Sequence, residues 1–146
     1  RLHQAFVEPL LPFKQSRTIA SSNKLCAMTD ISDGLHVDAM RMAKASAVSI
    51  EIDLNLLPIS DELALFSDRV HIDAHELAVI GGEDYQLLLS LKPDSFEALQ
   101  NTFHKQKIPS LIPIGSVSEG QAAVHYANNG KVWLPKMRPF SHFSDV

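Results

Sequence analysis

The sequence predicts an α+β domain, a layered α/β/α stack containing a mixed sheet. Three observations carry that expectation. Val48-Ser49-Ile50-Glu51-Ile52-Asp53-Leu54 alternates apolar and polar residues, the signature of a half-buried strand. Leu35, Ala39, Met42, Ala43 and Ser46 recur at helical spacing and fall on one face of a helix. Asn128-Asn129-Gly130 separates two short apolar runs and has hairpin-turn composition, so the sheet is not purely parallel.

The 146 residues suffice for one domain, and 45% hydrophobic against 21% charged content fits a globular chain with a real core. Net charge is −4 and the Lys and Arg residues do not cluster, which argues against nucleic-acid binding, whose footprint is a basic patch. A phosphorylated small molecule stays compatible, because a metal ion can supply the missing positive charge. No apolar run approaches the ~18 residues of a membrane span, and no signal peptide is visible. The single cysteine, Cys26, stands among apolar neighbours, so a buried, inert thiol and a reducing, cytoplasmic compartment are expected.

In chain order, residues 1–24 read as an arm or linker from a preceding domain. Pro9 and Pro12 break its apolar run, and a short helix is expected near Arg17–Asn23. The domain proper is residues 25–146. Leu25 to Ile31 reads as a short buried strand, followed by the helix Leu35–Ser46 and the strand Val48–Leu54. Lys44, near the end of that helix, complements its dipole. Ser60 or Asp61 caps a helix over Glu62–Phe66, and a polar interval follows around Ser67-Asp68-Arg69. Ala74–Ile80 reads as a helix stopped by Gly81-Gly82. Tyr85–Leu91 is an apolar strand. Asp94 and Glu97 have capping-box spacing for a helix with Phe96, Leu99 and Phe103 on its buried face. Leu111–Val117, Ala123–Ala127 and Lys131–Leu134 complete the strands. The tail with Phe140 and Phe143 reads as pinned to the domain.

Two acidic motifs sit at element junctions. In Asp30-Ile31-Ser32-Asp33-Gly34-Leu35 a strand turns into a helix, whose free N–H groups suit a phosphate, and Gly34 lets a ligand approach the backbone. Asp30 and Asp33 would repel that phosphate unless a hard cation such as Mg²⁺ bridged them. The competing explanation is that Ser32 or Asp33 merely caps the helix. In Gly81-Gly82-Glu83-Asp84-Tyr85 two carboxylates precede a strand; they suit a cation or a hydrogen-bonding substrate, or are simply solvated. His71 and His75 lack further metal-ligand partners at recognisable spacing. His36 could face a ligand, but an exposed polar position explains it as well.

The combination of these motifs resembles the C-terminal domain of the aminoimidazole ribonucleotide synthetase superfamily. Asp30–Leu35, Arg41–Ser46 leading into Ile50–Asp53, Gly81–Tyr85, and Ile114–Val117 with Glu119-Gly120 occur in that family's order, over roughly residues 25–120. Within it the sequence is most similar to the thiamine-monophosphate kinases, which carry both the DISDGL and GGEDY motifs. The selenophosphate synthetase and hydrogenase maturation branches match less well at Gly81–Tyr85.

This resemblance implies a two-domain, ATP- and Mg²⁺-dependent enzyme that transfers a γ-phosphoryl group to the phosphate of thiamine monophosphate. The N-terminal domain, not contained in this chain, would supply further metal-binding aspartates, much of the nucleotide site and the homodimer interface. The resemblance assigns Asp33 to catalysis and, with Asp30, to the metal. It assigns Ser32 and Gly34 to phosphate or nucleotide, and Gly82, Glu83, Asp84 and Tyr85 to the substrate side. An aromatic residue of the tail, Phe143 or Phe140, would pack on the thiamine moiety. His36–Met40 and the Pro-containing start, Glu8–Lys14, depart from the kinase pattern. They leave open a related enzyme with another substrate, or a non-catalytic binding or dimerisation module.

Overall fold

The computed structural model describes residues 2–138. Its helices are α1 (Leu2–Val7), α2 (Phe13–Ala20), α3 (Leu35–Ser46), α4 (Asp61–Val70), α5 (Ala74–Ile80) and α6 (Pro93–Lys105). The strands are β1 (Leu25–Ile31), β2 (Val48–Asp53), β3 (Gln86–Leu91), β4 (Gly115–Glu119), β5 (Ala123–Asn128) and β6 (Lys131–Trp133). The sheet is mixed, as expected, in the order β4-β2-β5-β6, with β2 antiparallel to β4 and parallel to β5. In addition, β1 and β3 form a separate antiparallel ladder.

Two apolar cores explain the layering. The first joins Leu35, Ala39, Met42 and Ala43 of α3 to Ile50 and Ile52 of β2, Val79 and Ile80 of α5, and Tyr126 of β5. The second joins Ile19 of α2 to Leu99 and Phe103 of α6 and Ile108. The β1–β3 ladder separates them. Ala27, Ile31 and Leu88 face the first core, whereas Leu25, Met28, Leu87, Leu89 and Leu91 face the second. Strand side chains alternate, yet Leu25 and Met28 share a face because the register slips between Leu25 and Ala27. Cys26 lies at that slip and is exposed, so the expectation of a buried thiol is corrected.

Local chemistry accounts for most element ends. Leu35, Ala39, Met42 and Ala43 form the expected buried stripe, while Ser46 is exposed. Ala47, left-handed at φ 52°, then turns the chain directly into β2. The Ser60 hydroxyl accepts the Leu63 N–H at 3.1 Å, as a helix cap should. That helix does not stop at Phe66. It runs through the expected polar interval because the Ser67 hydroxyl donates to the Ala64 carbonyl at 2.8 Å, so serine is buried without an unmet bond. The early helix begins at Phe13, four residues before its expected start at Arg17, and Ile19 anchors it in the second core.

Three further boundaries differ from expectation. β1 is only half-buried, because its ladder has one partner strand. The helix α6 has Lys92 at its N-cap and Pro93 in its first turn. No side-chain cap is made, so Asp94 and Glu97 form no capping box. The fourth strand starts at Gly115, not at Leu111, because the Leu111 N–H is taken by the Gln100 side chain at 2.9 Å. The final hairpin is as expected: Asn129 and Gly130 both have positive φ, 50° and 72°, the geometry of a tight primed turn.

Beyond β6 the chain is held by an unexpected residue. Glu76 is buried in the first turn of α5, and its Oε1 accepts the N–H groups of Lys136 and Met137, each at 2.6 Å. Phe140 and Phe143 lie outside the described residues. Charge-assisted bonds of this kind are strong. Glu76→Ala is expected to lower unfolding stability by about 2 kcal/mol in urea denaturation. Glu76→Gln, which keeps an acceptor oxygen, should lose roughly half as much.

Candidate functional site

The two acidic motifs form one surface. In the antiparallel β1–β3 ladder Ile31 is paired with Gln86, so the turn that leaves β1 must lie beside the loop that enters β3. Two backbone bonds join them: Glu83 N–H donates to the Ser32 carbonyl and Tyr85 N–H to the Ile31 carbonyl, both at 2.8 Å.

Glycine is required at this junction by packing. Gly34, at φ 103°, begins α3 against the end of α5, where an added Cβ would stand 2.7 Å from the Ile80 carbonyl oxygen. A Cβ on Gly82 would stand 2.6 Å from the Ser32 carbonyl oxygen. The close approach that Gly34 permits is therefore to the protein's own backbone. Gly34 also occupies the N-cap position, so neither Ser32 nor Asp33 is the helix cap.

The turn is instead fixed from inside. Asp38, 2% exposed and in the first turn of α3, accepts the N–H groups of Ser32 and Asp33 on Oδ2 at 2.9 and 3.0 Å. Its Oδ1 accepts from Arg41 Nη1 at 2.7 Å, and Arg41 Nη2 lies 2.5 Å from Asp33 Oδ2. These hydrogen bonds push the Arg41 guanidinium further up from an already high pKa. Sequence reading missed Asp38. Its signal was a carboxylate beside Ala39 and Met42 on the apolar stripe of α3, where a charge needs an internal partner.

On the loop side, Glu83 and Tyr85 adopt left-handed backbone at φ 67° and 51°. The Tyr85 hydroxyl donates to Glu83 Oε2 at 2.7 Å. That bond raises the phenol's pKa, and the charge of Glu83, burial and the charges of Asp30 and Asp33 add to it. Carboxylates from both motifs thus act on one hydroxyl. Asp30 is exposed at the end of the ladder. Asp84 is exposed by area, yet enclosure of its carboxyl by neighbouring atoms raises its pKa from the usual 3.8. Its exposure limits the size of that effect.

Among the described residues no three His, Cys, Asp or Glu side chains stand together as a metal centre. The donors present are hard carboxylate oxygens, which suit Mg²⁺, an ion that commonly takes one or two carboxylates and completes its shell with phosphate oxygens and water. Asp30 and Asp33 carry donors of that type. His75 instead pairs with Asp73 at 3.1 Å, at the start of α5. Nor is His36 an exposed polar residue: it is half-buried, its Nδ1 lies 3.0 Å from the Tyr126 hydroxyl, and burial lowers its pKa.

A layered α+β domain whose mixed sheet and central helix support this doubled acidic turn defines a family. The chain belongs to the AIR synthase related protein, C-terminal domain family, whose model matches residues 4–127. It is 31% identical to a thiamine-monophosphate kinase of Methanopyrus kandleri, over 82% of this chain and 36% of that protein. It is 37% identical to the Aquifex aeolicus thiamine-monophosphate kinase, over 65% of this chain and 28% of that protein. The chain therefore spans about a third of such relatives' length. Its fold matches AaThiL complexed with AMPPCP and TMP, with a TM-score of 0.76 and 32% identity over 97% of this chain and 41% of the other. A likeness to E. coli HypE, TM-score 0.66 at 22% identity over 86% of this chain and 39% of that one, extends the shared fold only.

The raised pKa of Asp84 has a definite sign. A carboxyl that titrates higher when folded favours the fold while protonated, and that contribution is lost as pH rises through the folded value. Asp84→Asn should therefore melt at a higher temperature than the unsubstituted protein at pH 7. The difference should close below about pH 4, near the ordinary carboxyl range, in parallel thermal melts.

Proposed function

We propose that this chain is the C-terminal domain of an ATP- and Mg²⁺-dependent kinase that phosphorylates thiamine monophosphate to thiamine diphosphate. The observation that carries the reading is the junction of the two motifs, with Glu83 and Tyr85 bonded to the carbonyls of Ser32 and Ile31. The likeness to AaThiL complexed with AMPPCP and TMP, and to kinases at 31–37% identity, supports it.

Phosphoryl transfer asks a protein for positioning and for neutralisation of spreading charge, with little covalent chemistry. This surface is built for such a task. Asp33 and Asp30 would hold Mg²⁺, which when bound neutralises phosphate charge. Ser32 and Gly34 would border the phosphate by their place in the turn, not through the N–H groups of Ser32 and Asp33, which Asp38 takes. Gly82 keeps the second loop close, while Glu83, Asp84 and Tyr85 orient the acceptor. Phe143 would cover the thiamine ring. An N-terminal domain of the intact protein supplies the other wall and the homodimer contact, and the enzyme works in the cytoplasm.

The test is ADP release by the full-length protein with ATP, Mg²⁺ and thiamine monophosphate, with thiamine diphosphate identified as product. Turnover is expected from the full-length protein, and none from residues 1–146 alone. Asp33→Asn should lower kcat by about 100-fold or more, while the melting temperature moves by no more than roughly 4 °C. ADP release with a different acceptor but not with thiamine monophosphate would replace this substrate assignment by a related one. Near-normal turnover of Asp33→Asn would remove Asp33 from the reaction.

A further inference from the structure

We infer that Asp38 and Arg41 are a positioning pair that sets both the backbone and the carboxylate of Asp33; this rests on the kinase reading above. The backbone is set by Asp38, whose Oδ2 takes the adjacent N–H groups of Ser32 and Asp33 together. The side chain is set by Arg41, whose two terminal nitrogens reach Asp38 Oδ1 at 2.7 Å and Asp33 Oδ2 at 2.5 Å. One planar fork thus ties the acidic turn to the helix packed in the first core.

Two features set this arrangement apart from an ordinary helix start. A capping serine or asparagine could satisfy the same N–H groups from a solvated position at little cost. A carboxylate 2% exposed is costly to desolvate and is kept here with a cation as its partner. The cation itself remains 58% exposed, so little core packing depends on it. Its place between Asp33 and Asp38 offsets the repulsion of two carboxylates that share one turn. Arginine is the suitable residue, since its fixed fork can engage both partners at once while the ammonium of lysine acts as a point charge.

The experiment uses the full-length enzyme with Arg41→Gln, Arg41→Lys and Asp38→Asn. Arg41→Gln should lower kcat for thiamine monophosphate phosphorylation by about 10–100-fold, a size typical of lost outer-shell partners. KM for the acceptor and the melting temperature should stay close to those of the unsubstituted enzyme. Arg41→Lys should recover part of the loss. Asp38→Asn should speed hydrogen exchange in a peptide covering residues 30–34, a readout that does not depend on which acceptor the enzyme uses. Two results overturn the inference: unchanged kcat in Arg41→Gln alongside an active parent enzyme, or exchange at 30–34 unaltered by Asp38→Asn. An inactive parent enzyme that nevertheless shows the exchange change would overturn the kinase reading and leave the positioning of the turn supported.

Discussion

The site depends on a pair of backbone hydrogen bonds, from Glu83 and Tyr85 to the carbonyls of Ser32 and Ile31. They continue the β1–β3 ladder past its regular end, and they are what turns two separated acidic motifs into one surface. Through them the Tyr85–Glu83 hydrogen bond lies beside the turn of Ser32 and Asp33. Both glycines at the seam serve this contact, Gly82 against Ser32 and Gly34 against Ile80 and Gly81.

Such a junction is not the relaxed state of its own sequence. Glu83 and Tyr85 are held in left-handed backbone, at a cost on the order of 1–3 kcal/mol for each non-glycine residue. Asp38 is a carboxylate removed from water. The stabilising terms come from either side: the apolar face of α3 in the first core, and the ladder that divides the two cores. A well-packed scaffold under a strained, like-charged turn is the pattern expected where local structure answers to a ligand more than to the fold.

Much of the fold could be read from the sequence because its signals are periodic. The stripe Leu35–Ala39–Met42–Ala43 and the alternation of Val48–Asp53 were forced by burial on one face, and the structure places both elements as expected. Asn129-Gly130 was legible because few residues tolerate two successive positive φ values. The failures share a different cause. The helix through Ser67 and the late start of β4 are decided by single side chains, Ser67 on Ala64 and Gln100 on Leu111, that periodicity does not weigh. The separate β1–β3 ladder needed a pairing choice that neither strand encodes alone. In the site, the motif residues stood out by composition, and their family order joined them. Asp38 did not, because its partners are a backbone turn behind it and an arginine one helical turn ahead.

Charge decides what this surface can accept. Arg41 touches Asp33 and is divided between Asp33 and Asp38. Outward, the two loops present the exposed carboxylates of Asp30, Glu83 and Asp84. A phosphate would be repelled by such a surface unless positive charge arrived with it. Within the protein, the fork of Arg41 fixes where the carboxylates of Asp33 and Asp38 stand. Removing that fork has a definite consequence. It removes the tie between Asp33 and Asp38 and blurs the position of the Asp33 carboxylate.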